Sequence, residues 1–503
     1  MEFQLSNQHD HELDFLIIPL AKTDDLPNIL ADIAQKNGFV AAQLQQDFKA
    51  EQGSRLALYP NAPDQPKLYL LGLGGPASFS DTLKAFRSLA YQLKEQLGTK
   101  AGISFLYGNA PQKLTTLQRR VEAAINGLLL GTYDIGLYKQ PTDNQHPLSS
   151  AEARLTVFAD ADDDASLLQS LRVGQQAALA QLSVMNLVNA PGNKARPAEL
   201  AQWAVDSGQH FGYTVQVFDK AAIEDLGLHA LLAVNRGSEW PPAFIVMEYK
   251  GPGLTENSPT FGLLGKGVTF DTGGISIKGS SNMHYMKSDM GGAAAVLGTM
   301  ELCARLQLPV HLVGLVPTTD NCVDATAIKP GDVIGSYSGK TIEVTDTDAE
   351  GRLILADALA YMLKHYDPTV MIDLATLTGS CVRALGYQAA GLFTNNDQLA
   401  LALQHRGEDC GERVWRLPLW EAYKRDIESD VADVKNYSGR PVAGAINAAK
   451  FLEAFTEQHP NWAHLDIAGV AFGDSEFANG KSATGYGIRL LYEFIHSYEG
   501  DKE

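Results

Sequence analysis

The chain has 503 residues, of which 45% are apolar and 20% are charged. Because single hydrophobic cores stop growing near about 250–300 residues, this length predicts at least two domains, and the apolar content excludes wholesale disorder. Forty Lys and Arg against fifty-nine Asp and Glu give a formal net charge of −19. Nucleic acids and anionic membranes select clustered positive charge, so neither is expected as a partner.

Two further features indicate the cellular setting. The four cysteines form no CxxC pair and are too few for a disulfide framework in a chain of this length, which favours a reducing compartment. The N-terminal segment has acids and no basic stretch before an apolar run, and no apolar run reaches about 18 residues. We therefore expect a soluble, cytoplasmic protein without a secretory signal or a membrane span.

The N-terminal part of the chain alternates short apolar runs with stretches of helical periodicity. In chain order, the predicted elements are strands Phe15–Ile18 and Leu68–Leu73, helix Asp81–Leu97, strand Gly102–Leu106 and helix Val121–Leu130. Strands separated by helices predict βαβ units with a largely parallel sheet. We expect an α/β domain over residues 1–165, a linker helix over 166–190 and a second domain over 191–503.

The second domain also alternates strands and helices. Its predicted strands are Tyr213–Phe218, Ala243–Glu248, Thr260–Leu264, Val310–Pro317, Thr341–Val344 and Val370–Leu374, and its predicted helices are Pro197–Ser207, Gly292–Leu306 and Arg352–Lys364. Charged residues and glycines cluster where the apolar runs end. Ligands of open α/β sheets bind outside the carboxyl ends of the strands, so these clusters are the candidate site.

The first cluster contains a lysine and an aspartate on either side of a short apolar run. Lys266 precedes Val268–Phe270 and Asp271 follows it, and Gly273 and Gly274 leave room beside the carboxylate. A loop salt bridge explains the two charges as well as a metal or ligand does. The spacing of a phosphate-binding P-loop is absent.

The second and third clusters add acids next to predicted helix starts. Asp289 stands just before a helix, where an N-cap is its ordinary role. Asp346, Asp348 and Glu350 lie within five residues and are followed by Arg352. Their mutual repulsion is costly unless a metal or Arg352 offsets it, and a capped helix start with an Asp348–Arg352 pair is the alternative.

Four of these carboxylates stand on loops that are placed to converge: Asp271, Asp289, Asp348 and Glu350. Carboxylate-rich sites suit divalent metals, and bridging carboxylates suit a centre of two metals. The residues therefore predict a two-metal hydrolase. They leave open whether its substrate is a peptide or a phosphoester.

At these same positions the sequence resembles the leucyl aminopeptidases of the M17 family, also called cytosol aminopeptidases. The matching runs are Gly265–Asp271, Met286–Gly292, Thr347–Leu353, Leu187–Pro191, Asp373–Gly379 and His464–Gly469. The resemblance covers roughly residues 185–495. It implies an exopeptidase that releases N-terminal amino acids, with leucine and similar residues preferred, through a water activated by two divalent metals.

The resemblance also implies a fold and a set of metal ligands. The fold is α/β with two domains, a macro-like N-terminal domain and a C-terminal α/β/α metallopeptidase domain. One metal, Zn²⁺ or Mn²⁺, would bind Asp271, Asp348 and Glu350. The other would bind Asp271, Glu350, Asp289 and Lys266. A lysine ligates only as the neutral amine, and burial with two adjacent cations lowers its pKa far enough for that.

Further roles are implied by the same resemblance. Lys278 would stabilise the oxyanion at the scissile carbonyl, and Arg352 would hold a bicarbonate ion that acts as general base. The walls of the pocket for the N-terminal side chain would include Met286, Thr376, Ala468 and Ala471. The family usually has Asn where this chain has Asp346.

Family members are homohexamers that act on peptides, so a homohexamer is expected, with residues 415–455, including Trp420 and Phe451, at an interface. Two alternatives remain. A two-metal phosphoesterase is disfavoured because such sites usually recruit several histidines. A non-catalytic relative is disfavoured because every ligand position of the family is intact in this sequence.

Overall fold

The computed structural model describes residues 1–8, 12–60, 65–107, 114–140, 145–160, 164–474 and 480–498, with the side chains of residues 114, 115 and 474 excepted. The chain divides into two compact units, Met1–Leu179 and Ala180–Glu503. The division falls inside one long helix, Asp164–Asn189. Within the described ranges, no helix has both the length and the apolar character needed to cross a bilayer.

The first unit contains six strands and five helices among its described residues. The strands are β1 (Glu2–Ser6), β2 (Phe15–Leu20), β3 (Arg55–Leu58), β4 (Lys67–Gly72), β5 (Lys100–Ser104) and β6 (Arg154–Phe158). The helices are α1 (Leu26–Asn37), α2 (Ala41–Asp47), α3 (Phe79–Gln92), α4 (Leu114–Leu130) and α5 (Asp164–Asn189), the last of which continues into the second unit.

The six strands of the first unit form one sheet in the order β1-β6-β5-β2-β4-β3. Every pairing is parallel except the edge pairing of β3 with β4. All six residues of β2 are buried, as expected of a strand covered on both faces. Leu16 and Ile18 belong to a core that α1 completes with Ile29 and Ile33 and α2 with Leu44. This is the α/β domain that the sequence predicts.

The second unit is larger. Its strands are β7 (Thr214–Phe218), β8 (Ala243–Lys250), β9 (Thr260–Gly265), β10 (Gly267–Asp271), β11 (His311–Asn321), β12 (Val333–Ile334), β13 (Ile342–Glu343), β14 (Val370–Ala375), β15 (Ala390–Thr394), β16 (Val414–Arg416), β17 (Val434–Lys435), β18 (Trp462–Asp466), β19 (Phe472–Asp474) and β20 (Lys481–Ala483). Its helices are α6 (Pro197–Phe211), α7 (Lys220–Leu226), α8 (His229–Asn235), α9 (Gly291–Arg305), α10 (Glu350–His365), α11 (Gly379–Leu385), α12 (Asp397–Cys410), α13 (Gly444–Glu453) and α14 (Ile488–His496).

A nine-stranded sheet forms the centre of this unit. Its order is β16-β15-β18-β14-β9-β11-β8-β7, and β10 pairs with β11 beyond the end of β9. Strands β18, β14, β9, β11 and β10 run parallel, so their carboxyl ends meet at one edge of the sheet. The ligand clusters predicted from the sequence follow β9, β10 and β13, or precede α9 and α10.

Helices cover both faces of this sheet. On one face, residues of α8, α10 and α13 pack with Leu264, Val313 and Trp462 in one large core. On the other face, α9 contacts β9, β11 and β14, and almost all of its residues are buried. Phe451 is fully buried in the first of these cores, so the expectation that it lies at a subunit interface is wrong.

The elements predicted from the sequence lie close to those of the structure, with shifts at their ends. Helix α10 begins at Glu350 rather than at Arg352, so the Glu350 carboxylate belongs to the first helical turn. The run Thr341–Val344 forms only the two-residue strand β13, which pairs with the short strands β12 and β17. The strands β12, β13 and β17 form a small sheet separate from the nine-stranded one.

Candidate active site

A cavity of about 500 Å³ opens at the edge of the sheet where the parallel strands end. Its lining includes most of the candidate residues: Lys266, Asp271, Lys278, Met286, Asp289, Asp348, Thr376 and Ala468. Glu350, Arg352 and Ala471 are not among the lining residues. The tertiary structure thus brings together the three clusters that the chain separates by up to about eighty residues.

Lys266 is the single residue between β9 and β10. Its backbone N–H donates to the carbonyl of Leu374 at 3.0 Å, and its carbonyl accepts from Ala293 at 2.8 Å. A Cβ on Gly292 would lie 2.0 Å from the Leu374 oxygen, so only glycine lets helix α9 approach this closely. The ammonium group is 3% exposed and lies 2.7 Å from Asp289 Oδ2 and 2.8 Å from Glu350 Oε1.

Asp271 is the last residue of β10, opposite Asn321 in the register with β11. Asn321 Nδ2 donates to Asp271 Oδ1 at 2.9 Å and to the carbonyl of Thr347 at 3.0 Å. The buried amide therefore joins the first and third clusters. The sequence analysis did not find Asn321, because the predicted strand Val310–Pro317 stops four residues before it, whereas the observed strand β11 extends to Asn321.

Asp289 lies between the 3-10 helix Met283–Ser288 and helix α9. No side-chain cap is found at the start of α9, so the N-cap explanation of Asp289 does not apply. Instead, Thr376 Oγ1 donates to Asp289 Oδ1 at 2.7 Å, and the Thr376 carbonyl accepts from Lys266 Nζ at 3.1 Å. Thr376 thus orients two candidate ligands as well as lining the cavity.

The loop before helix α10 supplies the remaining carboxylates. Asp348 donates its N–H to Asp346 Oδ1 at 2.9 Å, and its side chain is 35% exposed. Lys278 Nζ lies 2.7 Å from Asp271 Oδ2 and also pairs closely with Asp348 Oδ1. Lys278 therefore bridges two carboxylates from different loops while a quarter of its side chain remains accessible.

The charges of the site are not balanced by the protein itself. Among the described residues, the four candidate carboxylates form ion pairs with two ammonium groups, those of Lys266 and Lys278. Burial raises the pKa of Asp289 well above its ordinary value, and repulsion from Glu350 adds to this effect. Burial and the charge of Asp271 raise the pKa of Asp348 to about 7. Such shifts are typical of carboxylates that share a site.

The pKa of Lys266 reflects the same imbalance. Burial alone would lower this pKa, but Asp289, Glu350 and Asp271 outweigh it and raise the value. For Glu350 burial alone would raise the pKa, but Lys266 and Lys278 hold it below the ordinary value. Ligation by a neutral Lys266 amine therefore depends on divalent cations that offset these carboxylates.

The residues present fit divalent metal ions. Oxygen atoms of Asp271, Asp348 and Glu350 all lie within 4.8 Å of one another. Oε1 of Glu350 faces the Lys266 ammonium group at 2.8 Å, but neither of its buried oxygens receives a well-aligned hydrogen bond from the described residues. Lys266 is shared with Asp289, so a further cation beside Glu350 would offset the cost of burying this carboxylate. Oxygen ligands of this kind, with an amine beside them, suit Mn²⁺ and Zn²⁺.

Arg352 is the third residue of α10, within its first turn, and is buried. Its Nη1 donates to the carbonyl of Asn436 at 2.7 Å, and its Nε has no hydrogen-bond partner among the described residues. Burial lowers the pKa of Arg352, and the negative charges of Glu350, Asp346 and others oppose this shift. The Asp348–Arg352 ion pair that the sequence offered as an alternative is not found.

The four candidate pocket residues are not equivalent. Met286, Thr376 and Ala468 line the cavity. The methyl group of Ala471 instead packs against Gly291 at the start of α9, where an added Cβ would lie 2.8 Å away. Further lining residues that the sequence analysis did not find are Tyr285, Leu377, Thr378, Val382, Phe472 and Lys481.

Comparison with known proteins identifies relatives over nearly the whole chain. The catalytic-domain model of the cytosol aminopeptidase family matches residues 183–492. A probable cytosol aminopeptidase of Chloroherpeton thalassium is 42% identical in an alignment 501 positions long, which covers 97% of each chain. One from Chlorobium luteolum is 43% identical over 502 residues, 97% of this chain and 98% of the relative.

Solved structures show the same likeness. A mutant of tomato leucine aminopeptidase superposes with a TM-score of 0.88 at 30% identity, over 99% of this chain and 97% of the other. The bottromycin maturation enzyme BotP in complex with Mn superposes with a TM-score of 0.82 at 30% identity, over 96% of this chain and 99% of the other. Fold and site together define a metal-dependent aminopeptidase. Within that class, the chain belongs to the cytosol aminopeptidase family, as its motifs indicate.

Proposed function

We propose that this aminopeptidase releases leucine and similar N-terminal residues from peptides at two divalent metal ions per subunit. The observation that carries the proposal is the convergence of Asp271, Asp348 and Glu350 within 4.8 Å, next to Lys266 and Asp289. One metal is assigned to the three carboxylates of the first group. The other is assigned to Lys266 and Asp289 together with the shared Asp271 and Glu350. When bound, such a pair of metals supplies Lewis acidity and an acidified water.

The protein's own residues then orient the substrate. Asp289 binds the free amine at the peptide terminus, which restricts the enzyme to chain ends. Lys278, whose ammonium group reaches the cavity, stabilises the oxyanion that develops at the scissile carbonyl. Arg352 holds a bicarbonate ion as general base, and its buried Nε is the group left for such an anion.

The proposals for the metal, the oligomeric state and the domain bounds rest on membership of the cytosol aminopeptidase family. Zn²⁺ or Mn²⁺ is proposed as the metal, since the BotP complex contains Mn. A cytoplasmic homohexamer is proposed, and Trp420, which is 66% exposed, fits an interface. The proposed domains are 1–165, a linker over 166–190 and a catalytic domain over 191–503. The division after residue 179 and the start of the family match at 183 both fall inside that linker.

The test is a panel of unblocked aminoacyl p-nitroanilides assayed with protein stripped by a chelator and reloaded with Zn²⁺ or Mn²⁺. We expect no hydrolysis by the stripped protein, recovery on reloading, and the fastest turnover with leucine. N-acetylated leucine p-nitroanilide is the matched control and should not be cleaved. A reloaded protein with no activity on any unblocked substrate refutes the proposal. Metal analysis by mass spectrometry should give two ions per chain.

A further inference from the structure

Asp466 is a fully buried carboxylate that the roles above do not use. It is the last residue of β18 and is 0% exposed. In the register it lies beside Ala375, the last residue of the neighbouring strand β14. The loops that follow these two strands therefore begin on either side of its side chain.

Every described hydrogen bond of this carboxylate comes from those two loops. Oδ1 accepts from the N–H groups of Leu377 at 3.3 Å, Thr378 at 3.4 Å and Ala468 at 3.2 Å. Oδ2 accepts from Thr378 Oγ1 at 2.6 Å. An ionised carboxylate accepts such bonds at both oxygens, whereas an amide offers a single acceptor atom.

The same two loops form a wall of the active-site cavity. Leu377, Thr378 and Ala468 all line it. The residue before Leu377 is Thr376, which contacts both Lys266 and Asp289. Asp466 itself does not line the cavity. Its contacts with the substrate side of the site are therefore all made through the loops that it holds.

We propose that Asp466 is a positioning residue that fixes the cavity wall formed by Leu377, Thr378 and Ala468 and so sets how tightly the peptide substrate is held. This rests on the proposed function, because the wall matters only if peptides bind there. Displacements of about 1 Å at such a wall are enough to change rates or affinities greatly. The expected signature is a change in KM with metal content preserved.

Two substitutions separate hydrogen bonding from charge. Asp466→Asn removes the charge, which also acts on Arg352. Thr378→Val removes the shortest hydrogen bond, together with the bond that Thr378 Oγ1 accepts from the Cys381 N–H at the start of α11, without a change of charge. Thr378→Ser is its matched control because it keeps the hydroxyl. We expect Asp466→Asn and Thr378→Val each to raise KM about threefold to tenfold, with kcat and bound metal nearly unchanged. Thr378→Ser should stay near the wild-type KM.

The double variant tests whether the two residues act as one unit. If Thr378 acts through Asp466, the Asp466→Asn/Thr378→Val protein should show a KM close to that of the single variants, because coupled residues are not additive. Multiplied effects would mean that Thr378 acts independently of Asp466, through the substrate or through its cap of helix α11, and that outcome overturns the proposal. Asp357→Asn is the control for loss of a buried carboxylate away from the cavity, and its KM should not change.

Amide hydrogen exchange tests the positioning role of Asp466 without any assay of activity. In Asp466→Asn the N–H groups of Leu377, Thr378 and Ala468 should exchange faster than in the wild type, whereas Asp357→Asn should leave them unchanged. Unchanged exchange at these three amides in Asp466→Asn overturns the positioning role. If the wild-type protein cleaves no peptide but this exchange pattern holds, the proposed function fails and the positioning of the wall stands.

Discussion

Lys266 Nζ lies 2.8 Å from Glu350 Oε1, and both side chains are at most 3% exposed. Taking two charges out of water costs several kcal/mol per ion, and removal of one partner from such a buried pair costs about 3–5 kcal/mol. Neither residue is placed here by a need for stability, because apolar side chains would fill the same space at lower cost. The pair is explained by the chemistry that the site performs.

Replacement of Glu350 by Gln should abolish activity through loss of metal. Glu350 is assigned to both metals, so the amide, a neutral and weaker ligand, leaves each site short of one carboxylate. We expect kcat/KM for leucine p-nitroanilide to fall by about a thousandfold or more, since the metals supply the main stabilisation of charge. Metal bound after dialysis should fall below two ions per chain.

The control for this variant is Glu301→Gln. Glu301 is also buried, on helix α9, and pairs there with Arg305. Its replacement should lower the melting temperature but leave the bound metal and the KM at wild-type values. Full metal occupancy in Glu350→Gln would show that the assignment of Glu350 as a ligand is wrong.

Gly351→Ala should disturb the site by steric contact alone. A Cβ at this position would lie 2.5 Å from Lys266 Cε, because the lysine side chain runs directly over the first turn of α10. Alanine favours a helix by about 1 kcal/mol over glycine, so the helix itself is not weakened. We expect kcat/KM to fall by about tenfold to a hundredfold as Lys266 is displaced.

The comparison for Gly351→Ala is Gly75→Ala, where an added Cβ meets no atom within 4 Å. That variant should keep the activity of the wild type. An unchanged kcat/KM in Gly351→Ala would mean that Lys266 moves without consequence and is not a ligand.

Lys278→Met should separate catalysis from metal binding. Lys278 pairs with Asp271 and Asp348 and is not assigned as a ligand of either proposed metal. Loss of an oxyanion donor costs about a hundredfold to a thousandfold in kcat, so we expect a decrease of that size with KM little changed. Two bound metals per chain should remain. Loss of metal in this variant would indicate a role in assembling the site instead.

The stability of the protein should depend on pH through Asp357. Its carboxylate accepts N–H bonds from Ala230, Leu231 and Tyr337 at 2.7–3.0 Å, yet burial raises its pKa to about 7. The pKa in the unfolded chain is near the ordinary 3.8. Because the folded state binds the proton more tightly, the contribution of this group to stability is complete below about pH 4 and is lost as pH rises to about 7.

Asp357→Asn removes this dependence because the amide does not titrate. Each pKa unit corresponds to about 1.4 kcal/mol, so the penalty at pH 8 is on the order of a few kcal/mol. The difference in apparent melting temperature between the variant and the wild type should therefore move in favour of the variant from pH 5 to pH 8. A difference that is constant with pH would show that Asp357 has an ordinary pKa.

Several elements of the fold were predictable because their signals are local. Strand β14 is a short, nearly continuous apolar run and helix α6 has apolar residues at spacings of three to four, and both lie where these patterns put them. The start of α10 was placed two residues late, since Glu350 and Gly351 look like loop residues. Tertiary contacts explain why these two residues belong to the helix. Glu350 forms an ion pair with Lys266, and Gly351 has no side chain where the methylene groups of Lys266 pass.

The sequence by itself determined the class of chemistry, because acids at Asp271, Asp289, Asp348 and Glu350 repel each other unless cations are present. It also determined the family, through runs of motifs in one order. Only the tertiary structure decided which atoms meet. Parallel strands bring their carboxyl ends to one edge whatever their separation along the chain, so supports such as Asn321 and Asp466 reach the site from elements with no metal-ligand motif of their own. Their role depends on distances across the sheet, and those distances are properties of the folded chain.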